Sequence, residues 1–144
     1  MDPTTGALSL LLSNLKEHPR GMSVSDLAAA VGINRNTVSR YLDVLLVSGD
    51  AYVDHPSFGT AVIGRVLWDA GYTVGVVAQP GPDPADLLAL GPPRLFVSVS
   101  SGAVDSMVNR YTPNRRYRSR DVYAPGGIPR RPDRAVLVYT DRVH

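Results

Sequence analysis

Asp50, Asp54, His55, Ser57 and Gly59 crowd into ten residues of this 144-residue chain. They are side-chain types used in ligand and acid–base chemistry. Asp50, His55 and Ser57 have the composition of a hydrolytic triad, but a triad is a geometry rather than a composition. Gly59 stands where a helix is expected to open, so its amide can hold an anion. The reading this stretch supports is a loop facing a ligand or a partner. A second group is Arg35, Asn36, Thr37, Ser39 and Arg40. Arg and Asn suit base edges in the major groove, while Thr and Ser suit phosphates. The third group is an arginine run. Eight Arg from Arg110 to Arg134 stand against Asp121 and Asp133, a local charge of +6. Tyr111, Tyr117 and Tyr123 interleave with them, a mixture able to stack on and clamp nucleic acid. The plainer reading is a solvated loop, or one that packs against another domain. No carboxylate pair, nucleophile elbow, phosphate loop or His-rich metal spacing is present in the sequence.

The elements that must position the second group are helices. Leu8, Leu11, Leu12 and Leu15 recur at helical spacing until His18-Pro19-Arg20-Gly21 ends that run. Ser23 can cap a second helix, with Asp26 at the capping-box position. The small residues of Leu27-Ala28-Ala29-Ala30-Val31 allow close packing, and Gly32 supplies the left-handed residue of a tight turn. Ile33 is expected to plug the core and Asn34 to cap a third helix opening at Arg35. Val38, Tyr41, Leu42 and Leu45 would face inward on that helix. The pattern from Ser25 to Leu45 resembles the winged helix-turn-helix segments of transcription regulators, especially archaeal ones. That implies double-stranded DNA as a partner. No β-hairpin wing is legible after Gly49, and a trihelical scaffold or homodimerisation unit is the alternative.

Residues 43–49, Asp43-Val44-Leu45-Leu46-Val47-Ser48-Gly49, are claimed by two structures. From the left they continue the recognition helix; from the right they are the first buried strand of a parallel sheet. Periodicity cannot decide a short apolar run, but a central strand organises more buried area, which favours strand. The rhythm onward predicts a helix over 59–70 with Val62, Ile63, Val66 and Leu67 as its buried stripe, and a strand over 72–78. A short helix over 84–90 opened by Asp83, a strand over 94–100 and a helix over 103–111 follow. A last strand is expected over 135–139. Near-continuous apolar strands imply a parallel sheet covered on both faces, with ligands at the carboxyl ends of its strands.

Composition narrows the classes. The apolar fraction is 44% and the charged fraction 19%, as in a globular protein, and the net charge is +2. There is no uninterrupted apolar run of about 18 residues and no signal-peptide pattern, so no membrane span is expected and the cytoplasm is the default location. The absence of cysteine rules out disulfides and thiolate-held zinc or iron–sulfur clusters on these residues.

The string from Asp43 to Thr60 resembles the start of YgiQ-like radical SAM proteins. Arg94-Leu95-Phe96-Val97, Asp105-Ser106-Met107-Val108-Asn109, Tyr123-Ala124-Pro125-Gly126-Gly127 and Arg130-Arg131-Pro132-Asp133-Arg134-Ala135 continue the resemblance. It implies an N-terminal, cobalamin-binding-like, Rossmann-type α/β domain that precedes a radical SAM barrel. The family's three-cysteine motif is missing, and the family favours His where Arg110 stands and a Gly–Asn-type turn near Gly102-Ala103. Asp54 and His55 are adjacent, which is the wrong spacing for the usual cobalamin-ligating pattern. The expected architecture is therefore a helix-turn-helix segment over 1–42 followed by an incomplete parallel-sheet α/β domain over 43–144. The chain is read as non-catalytic on its own and without a cofactor. A separate radical SAM barrel chain is a second candidate partner, and the chain an accessory or vestigial piece of such an enzyme. Recombination through the shared Leu-Asp-Val-Leu-Leu-Val-Ser-Gly string would explain such a join.

Overall fold

The computed structural model describes residues 10, 13–14, 17, 22–32, 34, 38, 40–104 and 106–143. Helix α1 (Val24–Val31) begins where Ser23 Oγ accepts the Asp26 amide at 3.1 Å and donates to the Asp26 carboxylate at 2.6 Å. It ends at Gly32, whose φ of 70° is the left-handed conformation a helix stop requires. Val38 is buried against Leu27 and Ala28, with Met22, Val31 and Tyr41 packed around them. Of the first expected helix, Leu10, Ser13, Asn14 and Glu17 are described and helical, while Leu8, Leu11, Leu12 and Leu15, together with Ile33 and most of the third helix, lie outside the described residues.

The contested run is a strand. β1 (Val44–Ser48) is buried at all five positions and lies between β2 (Val74–Ala78) and β3 (Phe96–Ser100), giving a parallel sheet of order β2-β1-β3. The ladder reaches back beyond the strand itself. Asp43 N donates to Thr73 O at 2.9 Å, and Arg94 N donates to Leu42 O at 2.8 Å. Leu42 and Leu45 accordingly belong to the α/β core with Val47, Leu87, Ala135 and Tyr139. They do not join Val38 and Tyr41 in the N-terminal cluster, as a continuous helix would have required.

Helix α2 (Gly59–Asp69) connects β1 to β2 on one face. Its buried stripe differs from expectation. Ala61 is the buried position and Gly64 lies against Leu46, while Val62, Ile63 and Val66 are exposed. Leu67 alone of the expected four is partly covered. Small residues let the helix axis approach the sheet closely, and the larger apolar residues are rotated outward. Helix α3 (Pro84–Leu88), capped by Asp83, leads to β3, and α4 (Ser106–Arg110) follows. A single 3-10 turn (Pro125–Gly127) precedes α5.

The last element corrects the reading of 135–139 as a strand: α5 (Ala135–Val143) is a helix. Ala135 and Tyr139 have no exposed surface, Val138 and Val143 pack on the same core, and Val136 and Leu137 point outward. That is the three-and-four spacing of a helix face; a run of β-branched residues disguised it. α5 covers β3, and Arg142 Nη1 donates to Gly81 O at 2.7 Å to fix its far end. Among the described residues, no helix is long and apolar enough to cross a membrane.

Tyr139 yields a test. Its phenol oxygen is buried with no hydrogen-bond partner among the described residues, and burial holds its pKa above the ordinary tyrosine value. A raised folded-state pKa adds stability below pH ~10 that is lost as pH climbs through the folded value. Tyr139→Phe should leave neutral-pH stability unchanged or raise it by about 1 kcal/mol, and should reduce the loss above pH ~10. Denaturant melts at both pH values would show this; destabilisation at neutral pH would mean the hydroxyl is bonded.

Candidate functional site

The sheet order changes direction at β1, since β2 lies on one side of it and β3 on the other. A crevice opens at the carboxyl ends of strands at such a switch point. Here a cleft of about 240 Å³ is lined by Ser48, Asp50, Ser57, Gly59, Ser98 and Ser100, among others. Helix α2 points its N-terminus into the same cleft. Phe58 at its N-cap makes no side-chain hydrogen bond, so the first-turn amides have no side-chain cap. Ser48 Oγ accepts the Asp50 amide at 3.1 Å, and Ser100 Oγ accepts the Gly102 amide at 3.1 Å. Each hydroxyl therefore keeps its proton to donate.

Asp50 is 4% exposed, and its carboxylate joins two loops. It accepts from Ala103 N and pairs with Arg131 Nη2, while Arg131 Nη1 donates to Val104 O at 2.7 Å. Arg131 is 2% exposed, stands 3.9 Å from Asp121 through Nε, and lies 5.9 Å from the Tyr123 ring. The glycines around this pair are there for space. A Cβ on Gly102, at φ 104°, would collide with the Asp50 carboxylate, and one on Gly49 with the Ser101 carbonyl. Gln79, with φ 49°, adds a tie from Nε2 to Gly49 O at 3.0 Å.

Of the loop residues singled out in the sequence, Asp50, Ser57 and Gly59 line the cleft, and Asp54 and His55 do not. Asp54 pairs with Arg65 on α2. Burial, and after it the charge of Asp54, raises the pKa of Tyr52. His55 Nδ1 accepts the Ser57 amide at 3.1 Å. That bond goes to the backbone rather than the hydroxyl, and Asp50 is committed to Arg131. Asp50, His55 and Ser57 are therefore not a triad. Of the group read in the sequence as DNA contacts, Arg40 is exposed, and Arg35, Asn36, Thr37 and Ser39 lie outside the described residues. In the sequence Arg131 stands out as one arginine of a basic run and as part of the Arg130–Ala135 string of the resemblance, with no sign of its partner. The one hint was that Asp50 and Gly102 stand directly after apolar strands.

The buried pair is testable. Removing one partner of a buried, hydrogen-bonded ion pair strands the other charge, so Asp50→Ala should cost about 3–5 kcal/mol. Adding Arg131→Met should recover part of that. A loss below about 1 kcal/mol in denaturant titration would mean the pair is not the tie between these loops.

Residues 32–144 match the family described as Radical SAM N-terminal, and residues 8–54 match the IclR helix-turn-helix domain. The two matches overlap across Gly32 to Asp54 and so share β1. Similar proteins include a UPF0313 protein of Methanosarcina mazei, 58% identical over 104 residues, which are 71% of this chain and 17% of that protein. One from Methanocella arvoryzae is 60% identical over 103 residues, 70% of this chain and 17% of its own length. One from Shewanella oneidensis is 58% identical over 102 residues, 69% of this chain and 13% of its own length. The chain thus spans under a fifth of these relatives. No solved structure matches. The family's chemistry implies an iron–sulfur cluster held by thiolates, and a chain without cysteine offers no such ligands. The Radical SAM N-terminal match extends over most of the chain and includes every strand of the sheet, and the chain belongs to that family.

Proposed function

We propose that this chain is a non-catalytic protein that combines a DNA-contacting helix-turn-helix with the N-terminal domain of a UPF0313-type radical SAM protein. The observation that carries the DNA-binding half is the packing of Val38 on Leu27 and Ala28 across the Gly32 turn. Such a turn sets one helix across another so that the second can enter a major groove. Arg40 is exposed two residues after Val38. The match to the IclR helix-turn-helix domain supports the same reading. Arg35, Asn36, Thr37 and Ser39 would complete the contact surface, the first two at base edges and the others at phosphates.

The lack of cysteine, and the failure of Asp50, His55 and Ser57 to assemble a nucleophile–base pair, support a non-catalytic role. The cobalamin-binding-like character of the α/β half belongs to this proposal as well. Its support is the parallel sheet with a cleft at the carboxyl ends of β1 and β3. A second reading is an accessory piece of a radical SAM enzyme that has no DNA role and docks on a separate barrel chain. It is favoured by the Radical SAM N-terminal match over residues 32–144.

Duplex binding over a salt series separates the two. Arg40→Ala should weaken binding to duplex DNA and lower the magnitude of the logarithmic salt slope by about 0.9, the loss of one phosphate contact. A folded chain whose duplex binding and slope ignore the substitution would contradict the helix-turn-helix role and leave the accessory reading.

A further inference from the structure

We propose that residues 110–134 form a second nucleic-acid surface, suited to single strands and independent of the helix-turn-helix. Three of the eight arginines in this segment already have partners. Arg131 is buried with Asp50. Arg110 pairs with Asp133 at 3.0 Å and donates to Arg131 O. Arg118 Nε donates to Tyr111 O at 3.1 Å. Arg115, Arg116, Arg120, Arg130 and Arg134 are exposed. Among the described residues, their side chains make no hydrogen bond or ion pair. Both carboxylates of the segment are already occupied: Asp121 is buried beside Arg131, and Asp133 is held by Arg110 and by Tyr111 Oη at 2.6 Å. Five guanidinium groups therefore face solvent without a local counter-charge.

The backbone gathers them. Tyr111 and Tyr117 form an antiparallel bridge, and Thr112 N to Arg116 O and Arg118 N to Arg110 O, both 2.8 Å, close a hairpin. Arg115 and Arg116 sit at its tip, Arg115 with φ 58°. Arg110 and Tyr111 tie the hairpin to Asp133, between Arg130 and Arg134 in sequence. On the hairpin, Tyr117 is 65% exposed, yet its ring is held in place. Tyr111 lies 4.6 Å from it between centroids, the two hydroxyls bond at 2.9 Å, and Arg110 stands 5.6 Å from its centroid.

A fixed aromatic ring with open surface, surrounded by unpaired forked donors, suits a strand whose bases are unstacked and whose phosphates are regularly spaced. A duplex would offer phosphates but no free base for Tyr117, and an acidic protein would use the charges but not the ring. The test is fluorescence anisotropy of the full chain with labelled single-stranded oligothymidylate across a salt series. The combined substitution Arg115→Ala, Arg116→Ala and Arg120→Ala should weaken binding at least about tenfold and reduce the salt slope by about 2. Tyr117→Ala should weaken binding, Tyr117→Phe should not, and Arg40→Ala should have no effect on this probe. Circular dichroism checks that each variant is folded. Unchanged affinity and slope in the triple variant would overturn the proposal, as would Tyr117→Ala and Tyr117→Phe behaving alike. Loss of single-strand binding in Arg40→Ala would assign the site to the helix-turn-helix and overturn it too.

Discussion

Burial of Val44–Ser48 as the central strand is the constraint on which the rest of the chain depends. Each fully buried Val or Leu stabilises by about 1.5–3 kcal/mol, and four of them stand here in succession. A central parallel strand also satisfies its backbone on both edges, which the end of an exposed helix does not. Once β1 is in the sheet, Leu42 and Leu45 are drawn into the α/β core, and the N-terminal cluster keeps Val38 and Tyr41. The N-terminal cluster that remains is small, three buried residues among those described.

The second level of organisation is the Asp50–Arg131 pair. It draws the loop after β1, the turn after β3 and the stretch before α5 to one point at the carboxyl end of the sheet. Buried ion pairs are weak sources of net stability but strong sources of specificity in the geometry they demand. In this chain the demand is visible in Gly49 and Gly102, where any side chain would strike the neighbouring loop. Asp50 lines the cleft and Arg131 does not, so the wall that Asp50 contributes is held in place by a bond to a residue outside the lining.

Much of this was legible in the sequence, and the misses share a cause. Ser23, Asp26, Gly32 and Asp83 act locally, through caps and a left-handed turn, and each stands where its residue type required. The three strands were readable because buried parallel strands are nearly continuous in apolar residues. The same rule misassigned 135–139, whose Val and Leu residues belong to a helix with one covered face. It also misplaced the stripe of α2, where Ala61 and Gly64 rather than Val62 and Ile63 meet the sheet. Residue type reports what can be buried; which face is buried is decided by partners far along the chain. Arg131 is the extreme case, since its partner Asp50 lies 81 residues away.

The central claim is that residues 44–48 belong to the sheet and not to the helix that precedes them. Native-state amide hydrogen exchange on the intact chain tests it directly. The amides of Leu45 to Ser48 should open only with β3, at the free energy of global unfolding, and more slowly than those of α1. Exchange that follows α1, or that is fast while β3 stays protected, would place the run on the helix and contradict the account.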